Sequence, residues 1–443
     1  MAIAGIRGTG SFAADQRPKS WREGVLLSEP NGEVPFYALT SKMKEKQLTD
    51  PEHSWWTKTL AQDTVAVTGV YESSALSNAY DASDDYAAGS LVYVKMTAAL
   101  IADFIPGQTV RFCSVDTNGK FDPGAFTPIN GKVMARQNAG DNSYLTIKLS
   151  EADGAGNGDL SASRLRLTIL GTAFAEASGF PQAISYNPTK ITNYTQIAMN
   201  TLKGSRTMKH TKTRTGDTYN EMKRETLQYH MLGIEKTLLF GGPPSEAFDS
   251  ESGQVVRETG GVYYFLKTYA PNNVNDYTQN TTYTGQEWIV GGEDWLNAQV
   301  ENLFRYGTST EKPCFCGPGA LTAINKIAAS KGIVELPSVD AGYGMKFKRW
   351  ETAHGDLLLK KHPLFNKHPE WYNAIFAIEP KNLTYIYMDD TMFVNDENRS
   401  KLTGGAAFID GFIEGWVTEF GLEMAFAEQF AFLSGLGQDN ALT

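Results

Sequence analysis

Cysteine is scarce in this chain: only Cys113, Cys314 and Cys316 occur among 443 residues. Three thiols are too few for a disulfide framework. Long apolar runs are absent as well. None reaches the roughly 18 residues that carry a helix across a bilayer, which excludes a helical integral membrane protein. The opening Met-Ala-Ile-Ala-Gly-Ile-Arg is not followed by an apolar stretch, so no secretory signal is expected. An excess of positive charge is lacking too: 40 Lys and Arg face 50 Asp and Glu, a net charge of −10. Such a chain is not globally attracted to nucleic acid.

Catalytic signatures are also missing. There is no G-x-x-x-x-G-K-[ST] to cradle a phosphate, and no H-E-x-x-H among the six histidines to hold zinc on a helix. No G-x-S-x-G elbow holds a strained serine. Gly8-Thr9-Gly10 lies in a polar leader rather than after a strand, so it is no dinucleotide fingerprint. Cys314-Phe315-Cys316 is a C-x-C. On a strand over Lys312–Gly317 both sulfurs share one face, and with no further ligand motif they read as buried apolar cysteines. His362 and His368 read as loop histidines beside Pro363 and Pro369. Asp153, Asn157 and Asp159 miss the calcium-loop pattern and read as a solvated turn. The Asn-x-Ser/Thr matches at Asn193, Asn280, Asn382 and Asn398 carry little meaning without a secretory signal. Paired acids would suit a glycoside hydrolase, and Glu379 with Asp396 is one candidate. Adjacent Asp389 and Asp390 on a strand would point to opposite faces. The expectation is no enzyme, no catalytic residue, no cofactor and no metal.

What is present is aromatic: 12% of residues are Phe, Trp or Tyr, enough to support packed cores. The length suggests about two to four domains. Residues 1–60 are polar and broken by Pro18, Pro30, Pro35 and Pro51. They nevertheless carry Trp21, Phe36, Tyr37, Trp55 and Trp56, as an extended arm would if it docked on something else. Residues 61–178 hold short β-rich runs, such as Leu91–Lys95, Thr109–Phe112, Tyr144–Leu149 and Leu165–Leu170, separated by turn residues. That spacing predicts a small barrel or sandwich. Over residues 61–160 there are 12 acids against 6 bases, a net −6. Residues 179–206 read as extended, with Pro181 and Pro188 opposing helix. Lys203, Arg206, Lys209, Lys212 and Arg214 then place five cations in a stretch without an acid, a local basic patch.

A long helix is predicted next. Thr218-x-x-Glu221 is a capping-box pattern, and Asp217 favours the positive helix end. Leu227, Met231, Ile234 and Leu238 form an apolar stripe, and Gly241-Gly242-Pro243-Pro244 ends it. Its roughly 23 residues would span about 35 Å. Further helices are predicted over Glu293–Tyr306 and Pro318–Lys331. Met345–Thr352 with Asp356–Lys361 reads as one hairpin, and Asn373–Ile378 with Leu383–Met388 as a second. Near the C-terminus Phe412, Trp416, Phe420, Leu422, Met424 and Phe426 share parity, hence one strand face. Residues 379–428 hold 10 acids against 3 bases, a net −7.

Five stretches, taken in order, carry a resemblance. Val34–Leu39 with Ser54-Trp55-Trp56 looks like a phage-capsid arm, and Asn193–Ile197 looks like an extended-loop strand. Ile234–Gly241 looks like the end of a spine helix, Glu351–Leu357 like a central-domain hairpin, and Thr418–Glu423 like a return strand. The chain is thus similar to the major capsid proteins of tailed bacteriophages, with the Hong Kong 97-type shell fold. The implied fold class is α+β. It comprises an N-terminal arm (1–60), an inserted β-rich domain (61–178), an extended-loop strand (179–206) and a peripheral domain with spine helix (207–255). An axial, central domain (256–395) and C-terminal return strands (396–443) complete it.

The resemblance implies a structural protein that self-assembles into homo-hexamers and homo-pentamers of an icosahedral shell around double-stranded DNA, contacting it non-specifically. Scaffolding, portal and decoration proteins are the further partners it implies, with no membrane. The location implied is the virion, after assembly in the host bacterial cytoplasm. No helical stretch of about 100 residues precedes the arm, so a separate scaffold is expected. Lys203, Arg206, Lys209, Lys212 and Arg214 are candidates for the inner surface or for subunit borders, where they would face DNA or a neighbour's acids. Trp55, Trp56 and the other arm aromatics are expected to fill pockets on adjacent copies. The alternative is a carbohydrate-binding or adhesion module of the virion surface, suggested by the β-rich segment and the aromatics.

Overall fold

The computed structural model describes residues 35–40, 43–58, 64–81, 86–115, 121, 128–153, 160, 164–181, 183, 185–211, 218–307, 309–331, 336–340, 346–366, 368–395 and 411–442. The chain builds two compact units. One takes its described residues from the stretch up to Thr57 and from Lys190 onward, and the other is Lys58–Thr189.

The long helix of the first unit runs Thr218–Phe240, where its capping pattern and its Gly-Gly-Pro-Pro stop place it. Met231, Ile234, Leu238 and Leu239 are buried in one core, with Leu227 packed against it. The helix ends where two backbones touch. A Cβ on Gly241 would stand 2.6 Å from the Thr237 carbonyl oxygen and 2.8 Å from that of Thr259. Facing it, a Cβ on Gly261 would meet the Gly241 nitrogen at 2.3 Å. Only residues without side chains permit this approach.

A four-stranded sheet packs on this helix. Its order is Lys44–Gln47, Leu383–Asn395, Gly411–Met424, Gln196–Ser205. The first strand joins parallel, and the others pair antiparallel. Along Gly411–Met424 the even-numbered residues from Phe412 to Met424 are buried, and Trp416 Nε1 donates to the Lys223 carbonyl of the helix at 3.4 Å. Phe426 departs from the expected shared face. The strand has ended at Met424, Phe426 adopts a left-handed φ of 53° and its ring is exposed.

The second sheet has seven strands, in the order Val274–Asp276, Ala431–Ser434, Ile375–Ala377, Glu311–Cys316, Asp356–Lys361, Lys346–Glu351, Ser338–Asp340. Its central strands are covered on both sides. Cys314, Cys316, Ile375, Ala377 and Leu433 face helices Trp288–Arg305 and Pro318–Ser330. Phe315, Phe376 and Phe432 face the core of the long helix. The first of these helices starts five residues before Glu293, because Gly291 and Gly292 weaken its local signal. Lys346–Glu351 and Asp356–Lys361 form the expected hairpin.

The second expected hairpin does not form. Ile375–Ala377 pairs with Glu311–Cys316 and Ala431–Ser434, while Leu383–Asn395 belongs to the four-stranded sheet. Three successive buried residues in Ile375–Ala377 require cover on both faces, which only a central strand receives. A boundary at residue 395 therefore cuts across both sheets: Leu383–Asn395 pairs with Gly411–Met424, and Ala431–Ser434 pairs with strands from before it.

The second unit is a seven-stranded sheet in the order Thr64–Ala66, Leu165–Thr172, Gln108–Ser114, Ile129–Gln137, Tyr144–Leu149, Leu91–Lys95, Gly69–Tyr71. Its two end strands are one stretch of chain with a bend. Val67 N donates to the Leu165 carbonyl at 3.0 Å, and Thr68 N donates to the Lys95 carbonyl at 2.9 Å. The sheet thus closes on itself as a barrel, which removes its edges. Alternate residues such as Val92, Val94, Val110, Phe112, Leu145, Ile147 and Leu167 fill the interior. The unit extends beyond residues 61–178 at both ends. Its flanking strands, Glu52–Thr57 and Thr189–Tyr194, pair with each other as a two-stranded sheet.

Candidate assembly surfaces

The arm aromatics fill pockets of their own chain, which corrects the expectation for three of them. Phe36 and Tyr37 lie on a short helix, Pro35–Thr40, and are fully buried. Phe36 meets Phe315 edge-on at 6.1 Å, and Tyr37 meets Tyr385 at 6.0 Å. Trp55 is buried, stacked with His53 and edge-on to Phe265 at 5.6 Å. Trp56 points to the other side of strand Glu52–Thr57 and is 63% exposed. Trp21 lies outside the described residues.

A carboxylate inside the apolar stripe of the long helix explains why the arm docks here. Glu235 is fully buried. Its two oxygens accept Phe36 N at 2.8 Å, Tyr37 N at 2.5 Å and His362 Nε2 at 2.7 Å. Three donors satisfy a charge that burial alone would not tolerate. Leu364 N donates to His362 Nδ1 at 3.2 Å, so both ring nitrogens of His362 are occupied and neither offers a lone pair to a metal. Sequence reasoning missed Glu235. The available signal was a single acid between Met231 and Leu238, beside Ile234, on the buried face.

The basic stretch does not act as one patch. Lys203 is exposed on strand Gln196–Ser205, and Arg206 is exposed at the start of a short helix, Arg206–His210. Lys209 turns inward instead. Its Nζ lies 3.7 Å from Glu414 Oε1 and 5.0 Å from the Tyr219 ring centroid. Glu414 is buried and accepts the Tyr219 hydroxyl at 2.5 Å. Lys223 sits 3.6 Å over the Phe393 ring. Burial lowers its pKa, while Glu414 pulls it back up. Lys212 and Arg214 lie outside the described residues.

The remaining sequence candidates are structural. Cys314 and Cys316 are buried. Burial pushes the Cys314 thiol up to about 12 and Cys316 well above its ordinary value, so neither offers a thiolate. Glu379 is buried against Lys312, 3.4 Å away, which removes it from carboxylate-pair chemistry. Asp153 is not in a solvated turn: it is buried and accepts the Tyr80 hydroxyl and Leu160 N. Asn193 is buried, with Nδ2 donating to the Leu422 carbonyl at 2.6 Å and Oδ1 accepting Gly260 N at 2.7 Å, so it presents no acceptor for a glycan. Among the described residues no three His, Cys, Asp or Glu gather to hold a metal, and no helix is long and apolar enough to cross a membrane.

Two surfaces of the first unit leave apolar side chains open. The face of the four-stranded sheet turned away from the long helix exposes Ile197, Met199, Met392 and Ile413. A two-stranded hairpin, Ser245–Phe248 with Val255–Glu258, exposes Phe248 and Val256. Sequence reasoning passed over both.

The chain matches the family described as SU10 major capsid protein over residues 8–437. It is 25% identical over 365 residues to the major capsid protein of Pseudomonas phage PaMx41, covering 82% of this chain and 77% of that protein. Among solved structures it is similar to a capsid chain of an empty GTA particle, with 12% identity, 60% of this chain and 80% of that chain covered, and a TM-score of 0.39. It is similar also to a chain in the capsid of Myoviridae phage XM1, at 9% identity, 60% and 81% coverage and a TM-score of 0.36. The family assignment comes from the sequence match, which spans nearly the whole chain. The chain belongs to the SU10 major capsid protein family: it is a tailed-phage major capsid protein, a structural component of the virion shell and not an enzyme.

Proposed function

We infer that the chain assembles into homo-hexamers and homo-pentamers that tile an icosahedral shell around double-stranded DNA, on a Hong Kong 97-type fold. The observation that carries this reading is the apolar strip left open on the four-stranded sheet, where Ile197 and Met199 are each more than half exposed beside Ile413 and Met392. A contiguous exposed apolar strip marks an interaction site, and in a closed shell the partners are further copies. The extended loop corresponds to Glu52–Thr57 and Thr189–Tyr194, and Lys58–Thr189 is the inserted β-rich domain carried between those strands. The spine helix is Thr218–Phe240, with peripheral and axial domains built on the four- and seven-stranded sheets. Trp56 faces a neighbouring copy. Lys203 and Arg206 meet either a neighbour's acids or packaged DNA, which is bound through its phosphates without base specificity. Scaffolding, portal and decoration proteins are the further partners, and assembly takes place in the host bacterial cytoplasm. No finding favours the carbohydrate-binding alternative.

The test is expression of the chain in bacteria, alone and with the scaffolding protein of its phage, followed by sedimentation and negative-stain microscopy. Closed particles or five- and six-membered rings are expected. Monomer alone under both conditions overturns the reading.

A further inference from the structure

We propose that the hairpin Ser245–Glu258 of one copy docks on the open sheet face of a second copy, at the end of that face marked by Lys203. The proposal deepens the shell reading and rests on it.

The hairpin is ordered without a core. Its register sets Glu246 against Arg257, Ala247 against Val256 and Phe248 against Val255. Phe248 is 77% exposed and Val256 50%, and the two point to opposite faces, so each face keeps an open apolar side chain. A two-stranded hairpin of this size is marginal by itself. Local bonds hold it in shape. The Asp249 carboxylate accepts Ser252 N at 2.8 Å and Ser252 Oγ at 2.5 Å, and Asp249 N donates to the Gln254 carbonyl at 2.8 Å. Arg257 Nε lies 2.8 Å from Glu246 Oε2. An element fixed in advance loses little conformational freedom when it binds. Between Ser245 and Glu258 there are four acids, Glu246, Asp249, Glu251 and Glu258, against Arg257 alone, a net −3.

The sheet face is its complement. Ile197, Met199, Thr201 and Lys203 alternate along the last strand of the sheet, opposite Glu419, Val417, Gly415 and Ile413. Met392 continues the apolar strip beyond Val417. The strip is charged at both ends with opposite sign: Lys203 beside Ile413, with Arg206 following, and Glu419 with Asp389 beside Ile197. An apolar ribbon edged with carboxylates therefore fits the Lys203 end and is repelled from the other, which fixes its direction. The partner is a second copy, because Phe248 remains open within its own chain. Hairpin to face is a head-to-tail contact, the kind that closes rings.

The test mixes two single variants, Val256→Cys, on the hairpin face that also carries Glu258, and Met199→Cys, and oxidises mildly. Cys314 and Cys316 are buried and Cys113 is half-buried, and each variant alone supplies the background. A disulfide-linked dimer in the mixture, absent from either variant alone, is expected. In parallel, Glu258→Lys and Lys203→Glu each lower particle yield by at least about tenfold, and the two combined in one chain restore it. Both positions are exposed, and unchanged melting temperatures verify folding. Wild-type particles together with no cross-linked dimer overturn this proposal and leave the shell reading standing. A cross-link that forms equally in unassembled monomer and does not increase on assembly overturns it as well. Failure of the wild type to assemble at all overturns both readings.

Discussion

His230 sits on the long helix with both ring nitrogens engaged, Nδ1 2.9 Å from Asn200 Oδ1 and Nε2 2.7 Å from Thr418 Oγ1. The Asn200 oxygen only accepts, so Nδ1 carries the proton and Nε2 accepts from Thr418. Thr391 continues the chain of bonds, 2.8 Å from Thr418 and 3.4 Å from the Tyr37 hydroxyl. Edge strand, helix, sheet and arm are thus tied by one polar thread that works with a neutral imidazole. Burial lowers the His230 pKa from 6.5 to about 4. The unfolded chain therefore takes up the proton first as pH falls, and stability is full above about pH 6.5 and lost towards pH 4. The wild type should lose about 3 kcal/mol more than His230→Gln between pH 7 and pH 4, read from urea midpoints. Equal losses would show that the thread does not need the neutral ring. Nothing local announces this residue, because its partners Asn200, Thr418 and Thr391 come from three strands far apart in sequence.

The legible elements are those whose signals are local. The long helix is written within its own residues, by Thr218 and Glu221 at one end, the Leu227–Leu238 stripe in the middle and Gly241-Gly242-Pro243-Pro244 at the other. The missed pairing is the reverse case. Ile375–Ala377 and Leu383–Asn395 follow each other across a short turn, yet go to different sheets because their partners lie far along the chain. The arm was misread for the same reason: Phe36 and Tyr37 meet Glu235 across about 200 positions. One element-scale prediction concerns the helix stop. Gly241→Ala places a methyl group against three backbone atoms, the Thr237 and Thr259 oxygens and the Gly261 nitrogen, all within 2.9 Å. None of these is the tip of a flexible side chain, so the strain cannot be relieved by a rotamer change. A loss of about 2–3 kcal/mol is expected, measured by denaturant unfolding. By contrast, Gly242→Ala should cost less than about 1 kcal/mol, since nothing stands within 4 Å of its added carbon.

At the scale of the molecule, hydrophobic cover is distributed unevenly. The barrel Lys58–Thr189 closes its sheet and packs its own interior, with Val92, Val110, Phe112, Ile147 and Leu167 in one cluster. The first unit instead weaves its cores from distant segments, such as Phe36, Leu238, Phe376 and Phe432 in one cluster. Closure of the barrel follows from a single chain stretch, Thr64–Tyr71, bonding to both ends of the sheet, so no strand needs a neighbour from outside. A unit with its own core and no open edge is able to fold by itself. The fragment Lys58–Thr189 should therefore unfold in one cooperative transition, followed by circular dichroism, with slow amide exchange at Val94, Val110, Ile147 and Leu167. Leu167→Ala should lower its stability by about 2–5 kcal/mol. A fragment with a broad, non-cooperative melt and unprotected amides would mean that the barrel depends on the first unit for its stability. It would then be a part of the shell subunit's fold rather than a separate body that the subunit carries.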